Sequence, residues 1–197
     1  MSVTGVFDGW KLTSPYGYRV DPFNGSRSFH TGVDLVKYHK YPIPAFVGGV
    51  VLFAGEGGPG TGFGGYGNVV AIKDAKGYVH CYAHLDSVAE AAVKGRAIQR
   101  GDIVGYQGTT GRSTGSHLHY EVRAKDTPGY GYGSHVDPGA YLEACLKTEE
   151  PVLDSGVRDT IINTWLDPAL QKANAAGDKQ QADYIRWLTA ELRKASV

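Results

Sequence analysis

Apolar and polar residues alternate with a period of two in several short runs, and turn-forming residues separate these runs. Tyr78-Val-His-Cys-Tyr-Ala-His84 reads as a strand with Tyr78, His80, Tyr82 and His84 on one face and Cys81 on the other. After the turn-forming loop Thr110 to Ser116, a second such run sends His117 and His119 to one face and Leu118 and Tyr120 to the other. Further strands are predicted over Asn68–Lys73 and Gly101–Gln107, with two short ones within 43–54 around a Gly48-Gly49 turn. Residues 14–29, with Asp21-Pro22 and Asn24-Gly25, read as a loop or hairpin leading to His30. Residues 74–77 form a turn, 88–93 a short helix or bend, and the glycine-dense stretch 55–67 a flexible loop that either walls a groove or simply closes a hairpin. A mainly β fold follows for this part of the chain.

The period changes after Val136-Asp137-Pro138. Residues 139–146 fit one short helix, and Lys147-Thr-Glu-Glu-Pro151 reads as a linker. Helices are expected over Ser155–Leu166, from an Asp167 cap with Pro168 in the first turn, and over Asp178–Ala195. The organisation expected is a β domain over residues 1–147, a linker at 148–151 and a small α-helical segment over 152–197. In that segment the stripe Ile185, Leu188, Leu192, widened by Tyr184 and Trp187, should bury Ile185, Leu188, Leu192 and Trp187.

Composition narrows the function. Twenty-eight glycines and thirteen tyrosines suit a β-rich fold with many tight turns. Twenty Lys plus Arg balance twenty Asp plus Glu, with no dense basic run, which argues against a nucleic-acid binder. No apolar run of about 18 residues is present, and residues 1–10 have neither a basic nor an apolar leader region, so neither a membrane span nor a signal peptide is expected. Cys81 and Cys145 are read as buried free thiols, Cys81 lying away from any site on the histidine face.

The chemistry-bearing residues at strand ends are His30, Asp34, His84, His117 and His119. Two imidazoles and one carboxylate with an open fourth position constitute a catalytic zinc arrangement, and two histidines would remain for proton transfer. The chain contains no HExxH glutamate, so an imidazole would have to act as base.

His30-Thr-Gly-Val-Asp34, Tyr82-Ala-His84-Leu85 and Gly111-Arg-Ser-Thr-Gly-Ser-His117-Leu-His119-Tyr-Glu121 resemble the three signature segments of the lysostaphin/LytM-type zinc metallopeptidases. The Ser-Pro-Tyr-Gly-Tyr-Arg lead-in and the Gly101–Gly108 run add to the likeness, which covers about residues 12–145. The resemblance implies a fold of antiparallel sheets, zinc (Zn2+) held by His30, Asp34 and His119, and catalysis by His84 and His117. It also implies a substrate: the peptide stems and crosslinks of bacterial peptidoglycan. Tyr16 and Tyr18 precede the first ligand at no matching spacing, with packing as their default role, and Glu121 is placed to hydrogen-bond a ligand histidine. His80 is read as an ordinary polar strand residue, and His39 and His135 as surface residues.

The expectation is therefore a zinc endopeptidase of the cell wall, its helical segment folding mainly on itself and helping to position the enzyme. Without a leader such an enzyme would reach the wall through a phage-made lesion or on a virion, as a phage lysin; a chain with its leader already removed is the alternative. Two other functions compete. A non-catalytic wall-binding or phage structural module would be marked by a missing ligand, and none is missing. A 2-His-1-carboxylate iron oxygenase would leave the two extra histidines unexplained.

Overall fold

The computed structural model describes residues 5–148 and 154–194. The strands are β1 (Lys11–Ser14), β2 (Gly17–Val20), β3 (Arg27–His30), β4 (Val33–Val36), β5 (Pro42–Pro44), β6 (Gly49–Gly57), β7 (Gly67–Lys73), β8 (Val79–Leu85), β9 (Ser87–Val88), β10 (Ala97–Ile98), β11 (Ile103–Tyr106), β12 (Leu118–Arg123) and β13 (His135–Val136). The helices are α1 (Pro138–Thr148), α2 (Ser155–Ile161), α3 (Asp167–Ala175) and α4 (Lys179–Lys194). The chain divides into two compact units at Cys145/Leu146.

In the first unit a single antiparallel sheet runs β1-β4-β12-β8-β7-β6-β10, with β13 added to β12. A three-stranded sheet, β5-β11-β9, and the hairpin β2–β3 complete it. Alternation works as expected on β12: Leu118, Tyr120 and Val122 enter the main core with Val33, Leu35, Val70, Ile72 and Tyr82, all buried. The opposite face of the sheet carries a second buried cluster of Phe63, Val69, Ala71, Val79, Cys81 and Ala83. His119 and Glu121 stand on that face, because register pairs them with Ala83 and Cys81.

Several expectations are corrected here. The Gly48-Gly49 turn does not form a hairpin: β5 and β6 belong to different sheets, and a Cβ on Gly49 would collide with the Lys73 carbonyl. Of the two readings of residues 88–93, helix or bend, the structure has the bend, a turn that follows the end of β9. Cys81 is buried and free, as expected, but on the same side of the sheet as Glu121, where burial pushes its thiol up to about 12. His135 is half-buried rather than on the surface, stacked on Phe29 and 2.9 Å from the Tyr16 hydroxyl. Tyr16 thus packs, Tyr18 is exposed, and His39 is exposed as expected. The linker proves helical at its start, since α1 runs to Thr148; residues 149–153 lie outside those described.

The second unit is a small helical assembly. Asp154 caps α2, its carboxylate accepting from the Gly156 and Val157 amides, while Asp178 caps the start of α4 through Gln181. Asp167 is not a cap: the helix continues through Ile162–Leu166 as a π turn into α3. Pro168 has no N–H to give the preceding turn, and the wider turn is how a helix accommodates that loss without stopping. Gly177, with φ +70, reverses the chain between α3 and α4. The buried stripe is Ala182, Ile185 and Thr189, packed with Ala173 and flanked by Leu166, Ala169 and Leu170. Leu188 and Leu192 are only half-buried and Trp187 is 57% exposed, because facing alanines leave room for one large side chain, Ile185.

Candidate metal centre and cleft

β4 and β12 are neighbours, and their register sets Asp34 directly opposite His119. His30 ends β3, which the β2–β3 hairpin folds back over the same point. The ligand atoms of the three lie within 4.8 Å of one another. His30 Nε2 is 3.0 Å from His119 Nδ1 and 3.1 Å from Asp34 Oδ1, and His119 Nδ1 is 3.0 Å from the same oxygen. Two imidazole nitrogens and one carboxylate oxygen in so tight a triangle fit one small divalent ion about 2.0–2.2 Å from each.

Each donor is oriented from behind. His30 Nδ1–H donates to the Pro15 carbonyl at 2.9 Å, which turns Nε2 toward the centre. Asp34 Oδ2 accepts from Arg19 Nη1 at 3.1 Å, leaving Oδ1 as the ligand atom. His119 Nε2 lies 3.5 Å from Glu121 Oε2. Glu121, nearly fully buried, also accepts from Tyr66 (2.7 Å), Arg123 Nε (2.6 Å) and Thr31. Burial would raise the Glu121 carboxyl, yet the hydrogen bond to His119 and the charge of Arg123 hold it down at about 2.

Burial likewise opposes a charged His119, but the hydrogen bonds to Asp34 and Glu121 overcome it and hold the imidazole up at about 9. Near neutral pH a proton therefore occupies the ligand position. Zinc binding is expected to release that proton and to tighten as pH rises toward about 9. Calorimetry in two buffers of different ionisation enthalpy checks this; identical heats would contradict it.

His84 reaches the site against the alternation. Three residues of β8 (Ala83 to Leu85) face two of β7 (Asn68, Val69) beyond the Val70–Tyr82 pair, so β8 carries one extra residue, and His84 has φ +59. This β-bulge turns His84 away from the core face of Tyr82 toward the face of His119, and restores Leu85 to the core. Its ring centre lies 4.9 Å from His117 and 5.8 Å from His119. His80, expected to share its face, stays behind in the core between the Tyr120 hydroxyl (2.7 Å) and Asp74 (3.1 Å).

His84 Nδ1–H donates to the Thr110 carbonyl at 2.9 Å and His117 Nδ1–H to the Gly115 carbonyl at 2.8 Å. His117 Nε2 is 3.5 Å from Asp34 Oδ1. Burial, then the neighbouring His119 and His117, push His84 down to about 4, so it is neutral at pH 7.

These side chains line one cleft of about 250 Å3. The glycine stretch both closes the β6–β7 hairpin and walls the cleft through Gly64, Gly65 and Tyr66. It is pinned to the His117 loop: Arg112 N donates to the Gly65 carbonyl at 2.7 Å, and a Cβ on Gly111 would strike Gly67 N. All five site residues named from the sequence meet here. Arg19, Tyr66 and Arg123 join them without any motif to mark them: Arg19 sits in the lead-in among turn formers, and nothing local distinguishes Tyr66 from the other tyrosines.

Peptidase family M23 matches residues 28–138, a span that holds His30, Asp34, His84, His117 and His119. DD-carboxypeptidase/endopeptidase Mpg of Neisseria meningitidis serogroup B is 40% identical over 118 residues, covering 60% of this chain and 25% of its own length. Endolysin 2638A of Staphylococcus phage 2638A is 28% identical over 137 residues, 60% of this chain and 27% of that one. The catalytic domain of the antimicrobial peptidase lysostaphin from Staphylococcus simulans superposes with a TM-score of 0.58 at 27% identity, over 70% of this chain and 95% of that domain. The chain spans about a quarter of the length of these two curated relatives.

Proposed function

Because this chain belongs to peptidase family M23, we propose that it is a zinc-dependent endopeptidase hydrolysing the peptide crosslinks of bacterial peptidoglycan. The observation that carries the reading is the completeness of the site: three convergent donors and two further histidines in one cleft. Zinc held by His30, Asp34 and His119 would supply a Lewis acid for the scissile carbonyl and make a water acidic near neutral pH. His84 and His117, each with Nδ1–H tied to a backbone carbonyl, carry their lone pairs at Nε2. An imidazole so tied accepts the proton of the attacking water and, once charged, donates to the oxyanion or to the leaving amine. The likeness to a phage endolysin supports a phage lysin as its biological setting.

The test is digestion of purified walls of known crosslink chemistry, with the new termini identified by mass spectrometry. New amino termini within crosslinks, abolished by chelation and restored by zinc, are expected. A zinc-replete protein that frees no such termini from any wall type would overturn the reading.

For the helical unit we propose a wall-targeting role, supported by the exposed aromatic side chains Trp165, Tyr184 and Trp187, which suit stacking on sugars. A protein ending at Thr148 is expected to cleave soluble crosslinked peptides at the full-length rate while sedimenting less with whole walls. Equal sedimentation would remove the targeting role.

A further inference from the structure

Two arginines line the cleft, and they are held very differently. Arg19 Nη1 is committed to Asp34 Oδ2 and to Ser14 Oγ, at 3.1 and 2.7 Å. Arg112 stands on the loop that leads to His117, its backbone fixed by the Gly65 hydrogen bond while its side chain stays 59% exposed. The guanidinium crosses to the opposite wall, the turn of the β2–β3 hairpin. There it stacks over Phe23, 4.4 Å from the ring centre, and its Nη2 stands 3.5 and 3.4 Å from the two Asp21 carboxylate oxygens. Charge-assisted pairs normally close to about 2.7–2.9 Å. This one is long, half in solvent and correspondingly weak. Among the described residues Arg112 Nε and Nη1 have no hydrogen-bond partner.

A stacked, preoriented guanidinium at the mouth of a peptide cleft, engaging a carboxylate loosely, suits capture of a better-placed carboxylate. We propose that Arg112 binds a free carboxylate of the substrate peptide beside the scissile bond, and that Asp21 occupies its guanidinium only while the cleft is empty. The inference rests on the endopeptidase reading and deepens it: the preferred crosslink carries an acidic group, as at a diamino acid or a free D-amino-acid terminus, rather than being a neutral glycyl bridge. A carboxylate displacing Asp21 exchanges a long ion pair for a shorter one, which is how the cleft gains selectivity.

The test uses zinc-loaded full-length protein and a matched pair of crosslinked peptides, free acid and carboxamide at the residue flanking the scissile bond. The parent should favour the acid by roughly tenfold in kcat/KM, the scale of one hydrogen bond to a charged group. In Arg112→Gln that ratio should fall to about one. Asp21→Asn keeps the acceptor for the Phe23 amide but removes the competing charge, and should raise the acid preference by about two- to fivefold. Calorimetric titration with the same two peptides reads the same preference as binding, so a protein that cleaves neither would still test Arg112 while refuting the peptidase reading. An acid-to-amide ratio, in cleavage or in binding, that Arg112→Gln leaves at the parental value would overturn the proposal.

Discussion

An Asp34→Ala protein is expected to purify without zinc and to digest no cell wall. Asp34 Oδ1 lies within 3.1 Å of both ligand nitrogens, so its loss leaves two imidazoles and a gap. It also removes the carboxylate of the ligand triangle and leaves the Arg19 charge without its anionic partner beside the site. Loss of an outer partner of a metal ligand typically costs about 10–100-fold in affinity, and loss of a ligand itself should exceed that. Metal content after dialysis, by elemental analysis, is the measurement. Wall digestion at the parental rate by a metal-free Asp34→Ala protein would refute the ligand set.

His84→Ala and His117→Ala proteins should each retain about one zinc and lose about 10² or more in turnover, the usual scale for a positioned acid, base or oxyanion donor. Neither residue belongs to the triangle of donors, which predicts the retained metal. Both face the same cleft with rings 4.9 Å apart, so they serve one transition state and their losses should not multiply. A double variant falling by the full product of the two single losses would show that they act on separate steps. Parental turnover in either single variant would remove that residue from the mechanism.

The face of His119 could be read from the sequence because β12 is a regular strand: a period of two is set by backbone geometry alone, and Leu118, Tyr120 and Val122 are apolar where the core requires it. The same rule misdirected His84. One extra residue in β8 is invisible to a pattern that assumes regular pairing, since a bulge is a property of two strands rather than one. The resemblance of three short segments grouped His84 with His117 and His119, beside which the structure places it, where alternation alone grouped it with His80. In the helical unit, the apolar stripe indicated a helix at α4 but not which residues it buries, for that depends on the small alanines of α3 that face it.

The strands β7, β8, β11 and β12, the change to helix after Pro138 and the five chemistry-bearing residues can be read from the chain's local patterns, where hydrophobic period, turn chemistry and motif spacing act over a few residues. The depth of the site was decided only in three dimensions. Arg19 on Asp34, Tyr66 and Arg123 on Glu121, and Arg112 across the cleft join residues 15, 55, 2 and 91 positions apart. Arg123 lies close in sequence but was not foreseen, because a buried arginine is recognisable only once Glu121, the Gly62 carbonyl and the Tyr130 carbonyl are seen to satisfy it. Burial and pairing of charge are collective outcomes of packing, so even Glu121 and Arg123, neighbours on one strand, are not marked by sequence as a buried pair.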